Sequence, residues 1–370
     1  MRNMMRAVQQ SAALCIVAFA LLTAAAAQSN DAVPSAPEAA SQPAPPINND
    51  SALLDWVLAH SGPANGDRRA GDLRVAYTLT AAEGWWENAA GGKLAWHDAP
   101  AGQAHLRIFI LGADKRLLPN LAVHARFTDE FGNTRTLPID FGWYPLINAY
   151  GANVEAIPGH SYALHVTVEA DAANGSAAPA EADFAPLPVT ADMLAALPLA
   201  TGISFAEEAE MLRPGNAALT ASITELWKQT DSGAEEAAGD YFVGYAIGEA
   251  SVVNAHREAE AHRSGLRAFG MGGAMALAVF PRDARTGRVV PALNVRAELL
   301  NSANKSFGGG AMGTAHTRWF DLYQRSTNVP RKAVYKLRVR FAAPGFRRWG
   351  RQSEWFAAPV DVELHNVILK

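Results

Sequence analysis

Apolar residues at period two organise this chain, and they do so twice along its length. Leu106 to Ala125 reads as a strand, a basic turn and a second strand in which Leu121 and Val123 alternate. Leu277 to Ala297 repeats that order, with Leu106, Phe109, Arg116, Pro119, Leu121, Val123 and Ala125 falling on Leu277, Phe280, Arg288, Pro291, Leu293, Val295 and Ala297. One inserted residue between the strands reconciles the copies. Upstream, Leu73, Val75, Tyr77 and Leu79 alternate, and Tyr241, Val243, Tyr245 and Ile247 answer them. Downstream, the run from Tyr162 to Val168 is matched by the run from Tyr335 to Phe341. Short strands punctuated by Gly, Pro and Asn, with a hairpin turn at Glu130-Phe131-Gly132-Asn133, predict an all-β chain. The architecture expected is two tandem immunoglobulin-like antiparallel β-sandwich domains joined by a short helical connector.

The period changes between the copies. Ser204-Phe205-Ala206-Glu207 is a capping-box pattern that leads into Met211 and Leu212, and Pro214-Gly215 is expected to halt that helix. Asn216 is then expected to cap a second one carrying Leu219, Ile223, Leu226 and Trp227 on one face. A further short helix is predicted after Ser51, where Leu54, Val57 and Leu58 recur before Gly62-Pro63. The expected division is therefore a signal peptide over 1–27, an Ala/Pro-rich tether and short helix over 28–70, a first sandwich over 71–190, a helical connector over 191–239 and a second sandwich over 240–370.

Composition narrows the function. The 370 residues are 49% hydrophobic and 18% charged with a formal net charge of −4, a balance that gives no basic stripe for nucleic acid. Arg2 and Arg6, the apolar run Ala12 to Leu22 and Ala25-Ala26-Ala27 form an export signal, so the expected mature start is near Gln28 and the expected compartment is periplasmic. The lone cysteine, Cys15, lies inside that run. Leu14 directly before it is too bulky for a lipid-attachment site, and the exported part has no thiol for disulfides, Cys-based zinc or Cys nucleophiles.

Several short motifs together resemble the bacterial periplasmic ferrous-iron transport protein family. They are Ala104-His105-Leu106, Trp143-Tyr144-Pro145 and Tyr150-Gly151-Ala152-Asn153 in the first copy. In the second they are Gly287-Arg288 through Pro291-Ala292-Leu293, Tyr323 with Asn328-Val329-Pro330, and Pro344-Gly345-Phe346. The resemblance implies immunoglobulin-like sandwiches that bind iron or copper through Met, Glu and His and accompany an inner-membrane iron permease. His105 matches that family's strand histidine. Arg107 stands where an acidic ligand would help, Ala149 replaces the histidine before Tyr150, and Ala276 and Ala278 stand at the second copy's corresponding positions. Near Tyr323 the closest ligand types are His316 and Asp321.

Imidazole, thioether and carboxylate suit copper and Fe(II), and a sandwich would gather them from separate strands. The candidate metal ligands are Glu83, His97 and His105 near the start of the first copy, His256, Glu258 and His262 in the densest cluster, and His316. Glu83, Glu87, His97 and His105 are expected to frame one partial site beside the Trp85-Trp86 patch. Exposed polar residues around that patch are the plainer reading, and a solvated helix or loop is the plainer one for the 256–262 cluster. Met271, Met275 and Met312 lie in or beside glycine-rich stretches read as long hairpin loops, and they suit packing better than copper. Arg347, Arg348 and Arg351 near Trp349 and Trp355 offer a surface for an acidic partner or the permease.

No nucleophile elbow, Ser-His-Asp arrangement or recognisable carboxylate pair points to an enzyme. The leading expectation is a periplasmic iron-transport accessory protein with iron or copper bound in a sandwich, its tandem halves pairing within the chain or with a second copy. The alternative is a degenerate pair that has lost its metal and acts as an interaction or scaffold module.

Overall fold

The computed structural model describes residues 50–169, 179–195, 203–253, 275–317 and 319–370. The signal peptide, Cys15, most of the tether, Met271 and the cluster His256, Glu258 and His262 lie outside the described residues. The fold is all-β. Helix α1 (Asp50–His60) precedes β1 (Asn65–Ala70), β2 (Leu73–Ala81), β3 (Trp85–Ala89), β4 (Lys93–His97) and β5 (Gln103–Leu111). Then come β6 (Val123–Asp129), β7 (Thr134–Trp143), β8 (Ala149–Glu155), β9 (Ser161–Val168) and β10 (Ala180–Pro188). Helices α2 (Ala191–Ala195) and α3 (Phe205–Gln229) lead to β11 (Ser232–Ala238), β12 (Tyr241–Glu249), α4 (Ala250–Val253) and β13 (Met275–Asp283). The remaining strands are β14 (Arg296–Leu300), β15 (Ser306–Ala311), β16 (Gly313–His316), β17 (Asp321–Thr327), β18 (Ala333–Phe341), β19 (Arg347–Trp349) and β20 (Val360–Leu369).

The pairing order recurs. Strands β1-β2-β5-β8 form one layer of the first half and β7-β6-β9-β10 the other, while β11-β12-β13-β17 and β15-β14-β18-β20 do the same in the second. In the first half β7 changes layers. Its residues Thr134 to Ile139 pair with β6, and Asp140 to Gly142 pair with β8. In the second half the same passage is split into β15 and β16 around the buried Met312. Strands β1 and β11 lie ahead of the residues where the sequence places the sandwich starts. Their polar runs, Asn65-Gly66-Asp67-Arg68-Arg69 and Gly233-Ala234-Glu235-Glu236, carry no apolar period because each is the terminal strand of its layer's path.

Each half has a core between its layers. Val75, Tyr77 and Leu79 of β2 with Leu106, Ile108 and Ile110 of β5 meet Val123, Ala125, Val166 and Phe184 across the first sandwich. Tyr245, Leu277 and Val279 meet Val295, Leu299, Leu337 and Val339 across the second. The repeated Pro-x-Leu segment has a physical role in both. The Tyr150 hydroxyl donates to Leu118 O and accepts from Leu121 N, each at 2.8 Å. Tyr323 does the same with Val290 O at 3.1 Å and Leu293 N at 2.9 Å. The turn each tyrosine holds contains a residue of positive φ, Asn120 at 62° and Ala292 at 58°.

Two local expectations need correction. Pro214-Gly215 does not end a helix: α3 runs through it as one 25-residue element, begun by the Ser204–Glu207 capping box. The interior proline costs about 3 kcal/mol, and burial of Leu212 on one side and Ile223 and Leu226 on the other outweighs it. Asn216 is no cap. Its side-chain amide donates to Thr286 O. Gly308 to Gly310 lie in strand β15 instead of a loop, because a Cβ at Gly308 would meet Thr327 Oγ1 at 2.7 Å and one at Gly310 would meet the Arg325 guanidinium at 2.3 Å. Met275 and Met312 are buried in the second core and serve packing.

Tyr150→Phe and Tyr323→Phe each strand a buried amide and carbonyl. Urea unfolding of either variant is expected to show a loss of about 1–3 kcal/mol, against little change for Tyr162→Phe, whose hydroxyl meets an exposed amide.

Candidate functional site

Strand β5 is buried on both faces. Its even positions fill the first core, and its odd positions, His105, Arg107, Phe109 and Leu111, face the outer side of the layer. On that side the second half reaches across. Strand β19 inserts between β7, which it pairs in parallel, and β3, which it pairs antiparallel. Trp349 thereby comes to lie against His105 with ring centroids 4.3 Å apart and nearly parallel to the Tyr144 ring at 5.9 Å. In return Trp143, at the end of β7, is fully buried in the second core between Phe346 and Phe356.

Beneath Trp349 lies a buried polar cluster. Asn153 Oδ1 accepts from Glu83 N at 3.1 Å and its amide nitrogen donates to Glu83 O at 2.8 Å, so the backbone fixes which end of the amide is which. The His105 Nδ1 that lies 2.9 Å from Asn153 Oδ1 must therefore donate, and Nε2 is left with a lone pair. That lone pair accepts the Tyr144 hydroxyl at 2.9 Å. Arg107 donates to Glu83 Oε2 at 3.0 Å and lies 4.6 Å from the Tyr144 ring centre. Glu83 Oε2 is also 3.7 Å from His105 Nε2, while Glu83 Oε1 has no hydrogen-bond partner. Gly151 makes the arrangement possible, since a Cβ there would sit 1.6 Å from Tyr144 Oη.

Burial sets the charges. Desolvation, and then the Arg107 charge, push His105 well below its ordinary 6.5, so the imidazole is neutral. Desolvation raises Glu83 against the opposing pull of Arg107, and raises Tyr144 well above the usual phenol range. His105 was a depressed base, so it costs nothing above pH 6.5 and withdraws stability as pH falls below that value and the unfolded chain takes up its proton.

The remaining sequence candidates fall in three places. His97 is half-exposed on the β3–β4 hairpin, where it pairs with Glu87 at 2.9 Å and stacks on Trp85 at 5.0 Å, whereas Glu83 pairs with Arg107 and His105. The expected quartet is thus two separate pairs. His316 lies at the junction of the halves, with Nδ1 2.5 Å from Asp321 Oδ1 and Nε2 2.7 Å from Asp114 Oδ2. Burial alone would lower its pKa, but the two carboxylates raise it to about 9; Arg116 alongside lies 2.7 Å from Nε2 and donates to Thr317 O at 2.7 Å. His256, Glu258 and His262 lie outside the described residues. Of the arginines read as a partner surface, Arg348 is fully buried among carbonyls and its pKa is lowered to about 10 by burial, Arg347 lies over Trp85, and Arg351 lies over Trp96 and pairs with Asp98. Arg347, Arg348 and Arg351 each meet the first half's β3–β4 hairpin, at Trp85, Asn88 and Trp96 respectively.

These groups do not fit a metal. Both nitrogens of His105 are engaged by Asn153 and Tyr144, a guanidinium already neutralises Glu83, and the nitrogens of His316 are engaged by Asp321 and Asp114. Among the described residues no three His, Cys, Asp or Glu side chains gather to hold an ion. Tyr144, Asn153, Asp114 and Arg116 carry these sites, yet sequence reasoning assigned them no role. Tyr144 and Asn153 sat in quoted motifs and Arg116 in the internal repeat, and a hydroxyl bonded to a histidine 39 residues away leaves no spacing to find.

No family model matches the sequence, and no curated protein matches it. Among solved structures the chain is similar to a copper-bound variant of Campylobacter jejuni P19, at 12% identity and TM-score 0.26, covering 34% of this chain and 98% of that one. A copper-bound variant of FetP from uropathogenic Escherichia coli matches at 14% identity and TM-score 0.25, covering 34% and 97%. A DUF4426 family protein from Pseudomonas aeruginosa matches at 15% identity and TM-score 0.24, covering 34% and 95%. No helix among the described residues is long and apolar enough to cross a membrane.

His316 gives a pH signature. Its raised pKa means a contribution complete below pH 6.5 and lost as pH approaches about 9. Thermal unfolding is expected to show stability falling over that window by an amount of the order of 3 kcal/mol, and His316→Gln is expected to remove the slope.

Proposed function

We propose that this protein is an exported, non-enzymatic interaction module of the cell envelope, built on the plan of periplasmic metal-uptake proteins but with its metal position closed. One observation carries the reading: Arg107, on the same face of β5 as His105, bonds Glu83 at 3.0 Å while both His105 nitrogens are engaged by Asn153 and Tyr144. A fixed guanidinium supplies there the positive charge that a bound cation would bring. The resemblance in motifs to periplasmic ferrous-iron transport proteins supports export, and it names an inner-membrane iron permease as the first partner to try.

Anaerobic titration of the chain from Gln28 with Fe(II), Cu(I) and Cu(II) is the test. The expected result is no stoichiometric binding at micromolar concentrations, with affinity unchanged in His105→Ala. One equivalent of tightly held metal that His105→Ala weakens would overturn the reading and restore the metal-transport one. Arg107→Met is expected to destabilise the fold by roughly 3–5 kcal/mol, because it leaves Glu83 buried without its cation.

A further inference from the structure

The Tyr144–His105 pair joins a buried phenol directly to a ring nitrogen that can take its proton. Tyr144 is fully buried, its hydroxyl points at an imidazole lone pair 2.9 Å away, and Glu83 Oε2 waits 3.7 Å from the same nitrogen. From the phenol ring two easily oxidised indoles, Trp349 and Trp85, lead outward to the half-exposed His97. Tyr144 and Trp349 are nearly parallel with centroids 5.9 Å apart, Trp349 and Trp85 are 5.4 Å apart, and Trp85 stacks on the half-exposed His97 at 5.0 Å. Each member is in contact with the next, and the run begins in one half of the chain, passes through the other and returns.

We propose that Tyr144 and His105 form a proton-coupled redox site, connected to the surface by Trp349 and Trp85, that surrenders one electron to a one-electron oxidant outside the protein. Phenol and indole are the side chains from which an electron is most readily removed. An oxidised phenol is a strong acid, so its loss of an electron is eased by a base already in hydrogen-bond contact. The step balances as follows: one electron leaves the Tyr144 ring through Trp349 and Trp85 to the oxidant, which is reduced by one. The Tyr144 O–H bond breaks, and an N–H bond forms at His105 Nε2. The products are a neutral tyrosyl radical and an imidazolium that keeps its Nδ1 bond to Asn153 and faces the Glu83 carboxylate. Uptake of one electron from a small reductant, with the proton returning from Nε2, restores the pair.

The second half lacks this equipment. Ala276 and Ala278 occupy the positions of His105 and Arg107 in the ladder, opposite Ser326 and Gln324 where the first half has Asn153 and Gly151. Half-buried Trp86 and Trp96 form a separate pair at 5.1 Å, with Arg351 over Trp96. A one-electron site in an exported protein would intercept oxidising radicals or pass an electron to a surface partner. It stands whether or not metal binds elsewhere on the chain.

The test is photo-oxidation of the intact chain by tris(bipyridine)ruthenium(III) generated in a flash, followed by freeze-quench electron paramagnetic resonance. The expected signal is a neutral tyrosyl radical whose splitting collapses with ring-deuterated tyrosine, which forms more slowly in D2O and is absent from Tyr144→Phe. Trp349→Phe and Trp85→Phe are expected to lower its yield, and His105→Gln to abolish it, in proteins whose circular dichroism matches the parent. The D2O effect on the unaltered chain needs no variant to fold. An unchanged tyrosyl signal in Tyr144→Phe, a signal confined to tryptophan in the unaltered chain, or formation insensitive to D2O would each overturn the proposal.

Discussion

Two tryptophans change places between the halves, and most of the structure follows from that exchange. Trp143 leaves the first half to fill the second core, and Trp349 leaves the second half to roof the first half's polar cluster. Large aromatic side chains bury more area than any others, so an exchanged pair binds the halves more firmly than the charged contacts at their rims. Strand β19 adds backbone pairing to the exchange, and Gly142 permits it, since a Cβ there would meet Trp349 Nε1 at 2.5 Å. Buried Arg348, between the two exchanged elements, is held by the carbonyls of Pro344, Phe346 and Phe356 and by the Asn88 side chain. The described residues accordingly form one compact unit.

The halves share a pairing order but cover their outer faces differently. In the second, helix α3 lies on the outer side of β12 and β13, where Ala246, Ala276, Ala278 and Phe280 receive Ile223 and Leu226. Small residues at these positions let the helix approach. In the first, α1 covers only Ala76, Phe109 and Leu111, and the rest of the face carries Thr78, Thr80, His105 and Arg107 under Tyr144 and Trp349. Buried polar groups are tolerated there because nearly every one is paired, and a network of this kind fixes ring orientation and tautomer more sharply than apolar packing does. Glu83 Oε1 and Arg107 Nε are the exceptions, and Oε1 lies beside Gly350 at φ 84°, where a side chain would crowd it.

Much of the fold was legible from residue patterns. Period-two alternation located β2, β9, β12 and β18 because each has a face in a core, and the internal repeat located β5 and β13, which are buried on both faces. The Pro-x-Leu repeat was visible as a pattern, though its cause, a tyrosine hydroxyl on another strand, was not. Strand β19 carries three residues whose partners lie more than 200 positions away, and no local signal marks it. Pro214 misled because local propensity argues for a break where tertiary burial decides otherwise. For the site, the motif carrying His105 and Asn153 was readable, and the departure at Arg107 was noticed. Its meaning depended on Glu83 lying within 3.0 Å, which is a fact of three dimensions. His97 and Glu87 looked like companions of that pair because they are near in sequence, yet the β3–β4 hairpin turns them to each other.

The account stands on the state of one imidazole. Nitrogen-15 spectra of the His105 ring measure it directly, with long-range couplings distinguishing protonated from bare nitrogen. The prediction is a neutral ring with hydrogen on Nδ1 and none on Nε2, unchanged as pH falls from 8 through 6.5 and unmoved by Zn(II) as a diamagnetic stand-in for the transition metals. Hydrogen on Nε2, titration near 6.5, or a metal-dependent shift of Nε2 would contradict it, and would show that the cluster beneath Trp349 is open where the account holds it closed.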